Sequence, residues 1–549
     1  MDWKKLLSSD RIRKSNPNDK RNPFESDFGR IIYSPALRRM HDKTQVFPLT
    51  TDDNIHSRLT HSNEVMSLGY TFGMLLCNNE GFVKRIGFEN REAELLRIIP
   101  IIIQNVCLIH DIGNSPFGHF GETIISNYFE RLEKSEMTEF CNLNEWQKRD
   151  FLNYDGNAQG LRVLTKLQIL NDPYGLNLTY STLASSLKYP NFDIINSIKE
   201  KSLAKEGKNL ENKFIENKKH GVFFSEKEYF ELIIANTGLK IDDRVVRHPL
   251  CYLMEAADSI AYYCMDMEDG FNKGIYNIED IKKEFENKDI PICKSIIQTI
   301  NTKYVNDSFK IVNIRIKLIQ YFVNLAFEKF IENLDLIEKG EYNKELVEDD
   351  KDEVYEIVSG FSKRIFKSRE INNLESTGYS VMVGLLDFYI DFVFKKQNDK
   401  FINKAEVLIS NSIIDAAIEE TLIETCERKI TNRLTKLRAD YKLFSQSGNS
   451  NNKLTKELDK YEEMEILLNE NKDKYTRLIA SQKTEYIPTG SPESLELAEI
   501  RGKLLEKIKP EFKDLDNYYK FRVIVDFISG MTDQYAVKHY QRISGQRIN

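Results

Sequence analysis

The sequence predicts an all-α protein. Apolar residues recur at helical or all-round spacing through Glu92–Ile99 and Ile101–Ile109, and again from His248 to Met267. Alternating β-type runs are scarce, and turn dipeptides at hairpin spacing are few. A chain of 549 residues, 41% hydrophobic and 30% charged, can bury a large core in two or three lobes.

In chain order, residues 1–30 are polar and rich in Asn, Lys and Pro, and read as an N-terminal arm. Residues 31–275 carry the helical core. Within it, Pro100 is expected to kink the apolar run, and Gly113 to end it. Asn114–Gly121 then holds one proline and two glycines, which predicts a tight ordered loop. The Lys- and Glu-rich stretch 194–222 reads as a surface insertion. Residues 276–515 read as a further helical region. Its polar part, 428–500, with Asn/Ser-rich turns around Ser447–Asn452, suits long exposed helices or an excursion rather than a core. Apolar density returns at Tyr518–Ile528, so residues 516–549 are expected to dock back on the core. No internal repeat is present.

A net charge of −7 gives no global attraction to nucleic acid or to an anionic membrane, although such an average can hide a local basic pocket. Seven scattered cysteines without a CxxC pair argue against a disulfide framework and a zinc knuckle. The N-terminus has no long apolar stretch and no window reaches the length of a membrane span, so the expected location is cytoplasmic.

The chemistry concentrates around His110-Asp111, at the end of the apolar run Val106–Ile109. A carboxylate at the inner end of such a segment needs a cation to offset its desolvation. An isolated His-Asp pair is most often a helix end beside a solvated acid. Here, however, three of only eight histidines, His61, His110 and His119, fall close together. His61, His110, Asp111 and Asp258, on three predicted helices, make a four-ligand set with positions left open for water and substrate. Mixed nitrogen and oxygen ligation suits Mn, Fe, Co, Ni or Zn better than Mg. His119 and Glu122, three residues apart, form a candidate proton donor with its orienting carboxylate. Tyr262 and Asp266 lie one and two turns beyond Asp258, within about 80° of it around the helix. Arg58 would bring a guanidinium beside the metal to hold a phosphate. No phosphate-binding loop of the GxxxxGK[ST] or GxGxxG type and no GxSxG elbow competes; Gly29, Gly69 and Gly73 are isolated.

These residues resemble the bacterial deoxyguanosine triphosphate triphosphohydrolases of the HD superfamily. The matching segments are Arg38–Phe47, Arg58-Leu-Thr-His-Ser62, His110-Asp-Ile-Gly-Asn-Ser-Pro-Phe-Gly-His-Phe-Gly-Glu122, Asp155–Arg162, Leu176–Leu183 with Leu187–Pro190, Arg247–Leu250 through Glu268–Gly270, and Ile528–Tyr535. They cover about residues 20–270 and 515–545, and no informative motif lies in 271–510. The resemblance implies an HD-domain helical core with an additional C-terminal helical region. It also implies hydrolysis of dGTP to deoxyguanosine and tripolyphosphate with one divalent metal per subunit, Mn2+ or Mg2+ serving activity and Fe, Co, Ni or Zn being compatible. By the same resemblance His61, His110, Asp111 and Asp258 match metal ligands, and His119 with Glu122 matches the catalytic pair, as general acid or base. Gln45, Asp266 and Tyr262 resemble the groups that read the deoxyribose, and Arg58 and Lys188 resemble phosphate contacts. Asn114 stands where several HD relatives place another histidine, which favours a mononuclear site. The family implies a homo-oligomer, commonly a hexamer, with single-stranded DNA or a nucleotide effector as partners and no membrane. A broad-specificity dNTP triphosphohydrolase is one alternative. Another is a nucleotide-sensing or single-strand DNA-binding protein with a vestigial site; the presence of all four ligands with His119 and Glu122 argues against it.

Overall fold

A computed structural model describes residues 1–16, 18–49, 55–168, 174–192, 214–351, 353–396, 398–446 and 452–546. Helices dominate them, and the strands among the described residues are one short antiparallel pair, β1 (Lys240–Ile241) and β2 (Arg244–Val245). The all-α expectation holds.

Three helices build the centre. α1 (Arg58–Cys77) starts on a capping box in which Ser57 Oγ accepts from the Thr60 amide at 3.3 Å and Thr60 Oγ1 accepts from the Ser57 amide at 2.9 Å. α2 (Ile99–Ile109) packs along it and buries Ile99, Ile102, Ile103, Val106, Cys107, Leu108 and Ile109. Each such side chain contributes about 1.5–3 kcal/mol on burial, which offsets the cost of placing ionisable groups at the end of α2. Gly69 and Gly73 serve this contact: a Cβ on Gly73 would overlap the Pro100 backbone, and one on Gly69 the Cys107 sulfur. Pro100 does not kink a long helix. It sits in the first turn of α2, where its missing N–H breaks no helical bond, so Glu92–Leu95 and α2 are separate helices.

α3 (Gly118–Lys134) follows the tight loop, then α4 (Gly156–Thr165) and α5 (Tyr180–Ser186). α6 (Pro249–Asn272), capped by the His248 side chain and led by Pro249, packs on α1, α2 and α7 (Asp307–Glu332).

The N-terminal segment is not a free arm. Trp3 and Leu6 are buried on a short helix, and Trp3 Nε1 donates to Glu338 Oε1 at 2.7 Å. Arg11 and Asp27 form a buried ion pair at 2.5 Å. A polar average concealed these few anchors. Residues 193–213 of the expected surface insertion lie outside the described residues, while at its far end Glu216, His220 and Val222 are buried.

A second apolar cluster joins α3 to the C-terminal half. It takes one face of α8 (Arg369–Ile390). With its continuation to Lys395, this helix is long and apolar enough to cross a membrane, which corrects the expectation that no window reaches that length. Its Val381, Met382, Leu385, Leu386, Tyr389 and Ile390 are spent on the protein interior. α9 (Leu422–Gln446) and α10 (Asn452–Thr484) pair along a seam that buries Ile430, Leu434, Met464 and Leu468 beneath outer ion pairs such as Arg433–Glu457. Turn residues 447–451 lie outside the described residues.

α11 (Asn517–Ser529) and α12 (Asp533–Ile543) close the chain against the body. Arg162 on α4 donates to Asp526 at 2.7 Å and to Glu226 at 2.8 Å. Arg522 donates to Asp526 at 2.8 Å, and all four side chains are fully buried.

Candidate active site and metal centre

The central helices converge at one point. The first turn of α1 presents Arg58 and His61, the end of α2 delivers His110 and Asp111, and the middle of α6 brings Asp258. Ligand atoms of His61, His110 and Asp111 all lie within 4.8 Å of one another. Asp258 Oδ1 stands 3.1 Å from His61 Nε2 and 3.4 Å from His110 Nε2, and Asp111 Oδ2 lies 3.6 Å from His110 Nε2. Ligands bound at about 2.0–2.2 Å around one ion sit about 3.0–3.5 Å from their neighbours, so His61, His110 and Asp111 could hold a single divalent metal, with the Asp258 carboxylate beside both imidazoles. His110 supplies an independent sign. Its Nδ1 donates to the Cys107 carbonyl at 2.7 Å, which fixes the ring, while its buried Nε2 has no hydrogen-bond partner. A histidine ligand is held in this way, with one nitrogen anchored and the other turned to the ion.

The electrostatics match. Burial opposes charge on His110, but Asp111 and Asp258 outweigh it and hold the imidazole pKa up at about 9. Burial likewise opposes the Asp111 carboxylate, and Arg58 with His110 brings it down to about 2. Asp258 is held well below the carboxylate range despite burial, chiefly by His110 and His61. The charges are those of a site that receives a cation in place of a proton.

Around this centre, Arg58 Nη1 donates to Asp111 Oδ2, and Asn114 Nδ2 donates to Asp111 Oδ1 at 2.7 Å. Asn114 therefore orients the Asp111 carboxylate. The loop reaches α3 through Phe117 (φ +61°) and Gly118 (φ +58°), where a Cβ on Gly118 would lie 2.7 Å from Arg58 Nη2. His119 Nδ1 meets Glu122 Oε2 at 3.1 Å, with Glu122 buried and the imidazole exposed. The Glu122 bond raises the His119 pKa. Gln45 lies beside the start of α1, because Thr44 bridges Ser57 and the Lys43 carbonyl accepts from the Arg58 amide at 2.9 Å; its Oε1 is buried without a partner. Along α6, Tyr262 is half-buried and Asp266 buried. Burial pushes the Asp266 carboxyl up to about 8, beside the hydroxyls of Ser362 and Tyr262. Lys188 reaches Glu255 at 3.2 Å, a carboxylate it shares with Arg247 at 2.7 Å. A cavity of about 850 Å³ backs onto Ile112 and Gly113, lined by Arg39, Lys43, Gln159 and Asp526, and is distinct from the four-ligand cluster.

The Phosphohydrolase-associated domain matches residues 496–542. A deoxyguanosinetriphosphate triphosphohydrolase-like protein of Listeria monocytogenes is 35% identical over 422 residues, 72% of this chain and 84% of that protein. A protein of the same description from Synechocystis is 33% identical over 72% of this chain and 88% of its own length. The deoxyguanosinetriphosphate triphosphohydrolase of Yersinia enterocolitica is 28% identical over 95% of this chain and 93% of its own. The chain belongs to this triphosphohydrolase family of the HD superfamily.

Within this family member, sequence reasoning missed His56. It stands between Glu64 at 3.0 Å and Asp269 at 3.0 Å, and Asp269 lies one turn beyond Asp266 on α6. Burial opposes its charge, yet the two carboxylates hold its pKa up at about 10. Its flanks, Ile55 and Ser57, carry no motif, and both partners lie far off in the chain or on the next helical turns, so local sequence gave no signal.

Proposed function

We propose that this protein is a metal-dependent dNTP triphosphohydrolase that converts dGTP to deoxyguanosine and tripolyphosphate. The observation that carries the reading is the convergence of His61, His110, Asp111 and Asp258 around the unpartnered Nε2 of His110. A divalent ion held by these four would supply the positive charge that polarises the α-phosphoryl group.

The chain's own residues do the rest. The hydrogen bond to Glu122 raises the His119 pKa and orients the imidazole, which suits it to transfer a proton, as general acid to the departing 5′-oxygen or as general base to the nucleophile. Arg58, oriented by Asp111, places a fixed guanidinium where charge grows on the polyphosphate, and Lys188 adds a second cation on the same side of α6. Gln45 Oε1, buried without a partner, and the Asp266 carboxyl are suited to a sugar hydroxyl, and Tyr262 to closing the space a 2′-hydroxyl would need. Incubating the protein with each of the four dNTPs and with GTP, in Mn2+ or Mg2+, and measuring nucleoside release tests the reading. dGTP should be turned over fastest and GTP least. Equal rates on all four dNTPs would replace it with broad specificity, and no release from any would mark the site as vestigial.

A further inference from the structure

The segment Ile528–Tyr535 is far in sequence from every candidate catalytic residue, yet it touches the segments beside the starts of α1 and α3. Asp533 opens α12 and is buried. Its carboxylate is spent outside its own helix: Oδ1 accepts from the Phe117 amide at 3.0 Å and Oδ2 accepts from the Thr44 amide at 3.0 Å. Phe117 is the left-handed residue that opens α3, two positions before His119, and α3 has no side-chain cap there. A non-glycine residue in that conformation is strained and persists only where its surroundings hold it. Thr44 pairs with Ser57 beneath the first turn of α1, which bears Arg58 and His61. Lys43 forms a parallel strut, donating from Nζ to the Asn114 carbonyl and to the Ser529 carbonyl at 2.9 Å.

We propose that Asp533 is a positioning residue: one carboxylate from the C-terminal segment ties the start of α1 to the start of α3 and so sets His119 and Glu122 against the groups on α1. The inference rests on the reading of His119 as the proton-transferring group. A carboxylate is the residue for the task, because its two oxygens accept two N–H donors from different loops. Asparagine, nearly the same shape, would turn an NH2 towards one of those donors.

The test compares Asp533→Asn with wild type, and Asp533→Asn/His119→Ala with His119→Ala, by kcat and KM for dGTP. It adds amide hydrogen exchange over residues 43–46 and 114–120 without nucleotide. Misplacing a catalytic group by about 1 Å can cost about 10²-fold, so kcat should fall by about 10–100-fold with KM little changed. In the His119→Ala background the same substitution should change kcat hardly at all, since residues acting as a unit are not additive. Exchange at Thr44 and Phe117 should quicken. An equal fall in kcat in both backgrounds, or unchanged exchange at both amides, overturns the proposal. If Asp533→Asn does not fold, Asp533→Glu, which keeps the charge on a longer arm, takes its place in the same comparison. Should wild type leave dGTP intact, the functional reading fails, while the exchange result still decides whether Asp533 clasps the two loops.

Discussion

Asp111→Asn removes one negative charge from a point where three groups depend on it. The carboxylate faces His110 Nε2 at 3.6 Å, accepts from Arg58 Nη1, and accepts from Asn114 Nδ2 at 2.7 Å. The asparagine oxygen can serve only one of the two donors, and its NH2 then meets the other. A hydrogen bond to a charged group contributes about 1.5–3 kcal/mol, and the Arg58 side chain is only 6% exposed, so little water can replace the lost acceptor. A stability loss of about 2 kcal/mol is expected. Groups that merely orient metal ligands are worth about 10–100-fold in affinity, so loss of a ligand itself should weaken metal binding by at least about 100-fold. The assay measures metal content after dialysis, metal affinity by calorimetry, and dGTP turnover in excess metal, with a thermal unfolding curve as control. The account expects a folded protein that retains little metal and does not turn over dGTP. Full metal content with near-normal turnover would refute the site.

His119→Ala should keep metal and nucleotide binding while kcat falls by about 10²–10⁴-fold, the usual worth of proton-transfer catalysis; loss of bound metal would show instead that His119 is a ligand. Tyr262→Ala should admit GTP, with the kcat/KM preference for dGTP over GTP falling by up to about 10²-fold, since shape alone rejects a hydroxyl only to that extent; an unchanged ratio would remove α6 from sugar selection. His56 gives a pH signature in stability. Its folded pKa of about 10 lies above the unfolded value near 6.5, so its stabilisation is complete below about pH 6.5 and is lost as pH rises through about 10. His56→Gln should therefore lower the melting temperature most at pH 6, with the gap to wild type closing towards pH 10; a gap constant with pH contradicts the ion bracket.

What could be read from the sequence was what is local and periodic. The helices around Cys107 and Asp258 declare themselves because their apolar spacing is decided by the face they bury. His110-Asp111 was legible because two unlike ligands are adjacent in the chain. The N-terminal segment was misread because Trp3, Leu6 and the Arg11–Asp27 pair act as isolated anchors within a polar stretch. Pro100 was read as a kink because an apolar run on both sides hides a helix boundary that a break at Leu96–Ile98 creates. His56 and the two-loop bond of Asp533 depend on contacts between residues hundreds of positions apart, which no local pattern encodes.

Phosphorus NMR of dGTP incubated with the protein and Mg2+ tests the central claim most directly, because it reads where the chain of phosphates is cut. Attack at the α-phosphorus, organised by His61, His110, Asp111 and Asp258, releases an unsplit tripolyphosphate together with deoxyguanosine, and the account predicts these two products in equal amounts, with neither formed by Asp111→Asn. Orthophosphate with dGDP, or pyrophosphate with dGMP, as the first products would contradict it.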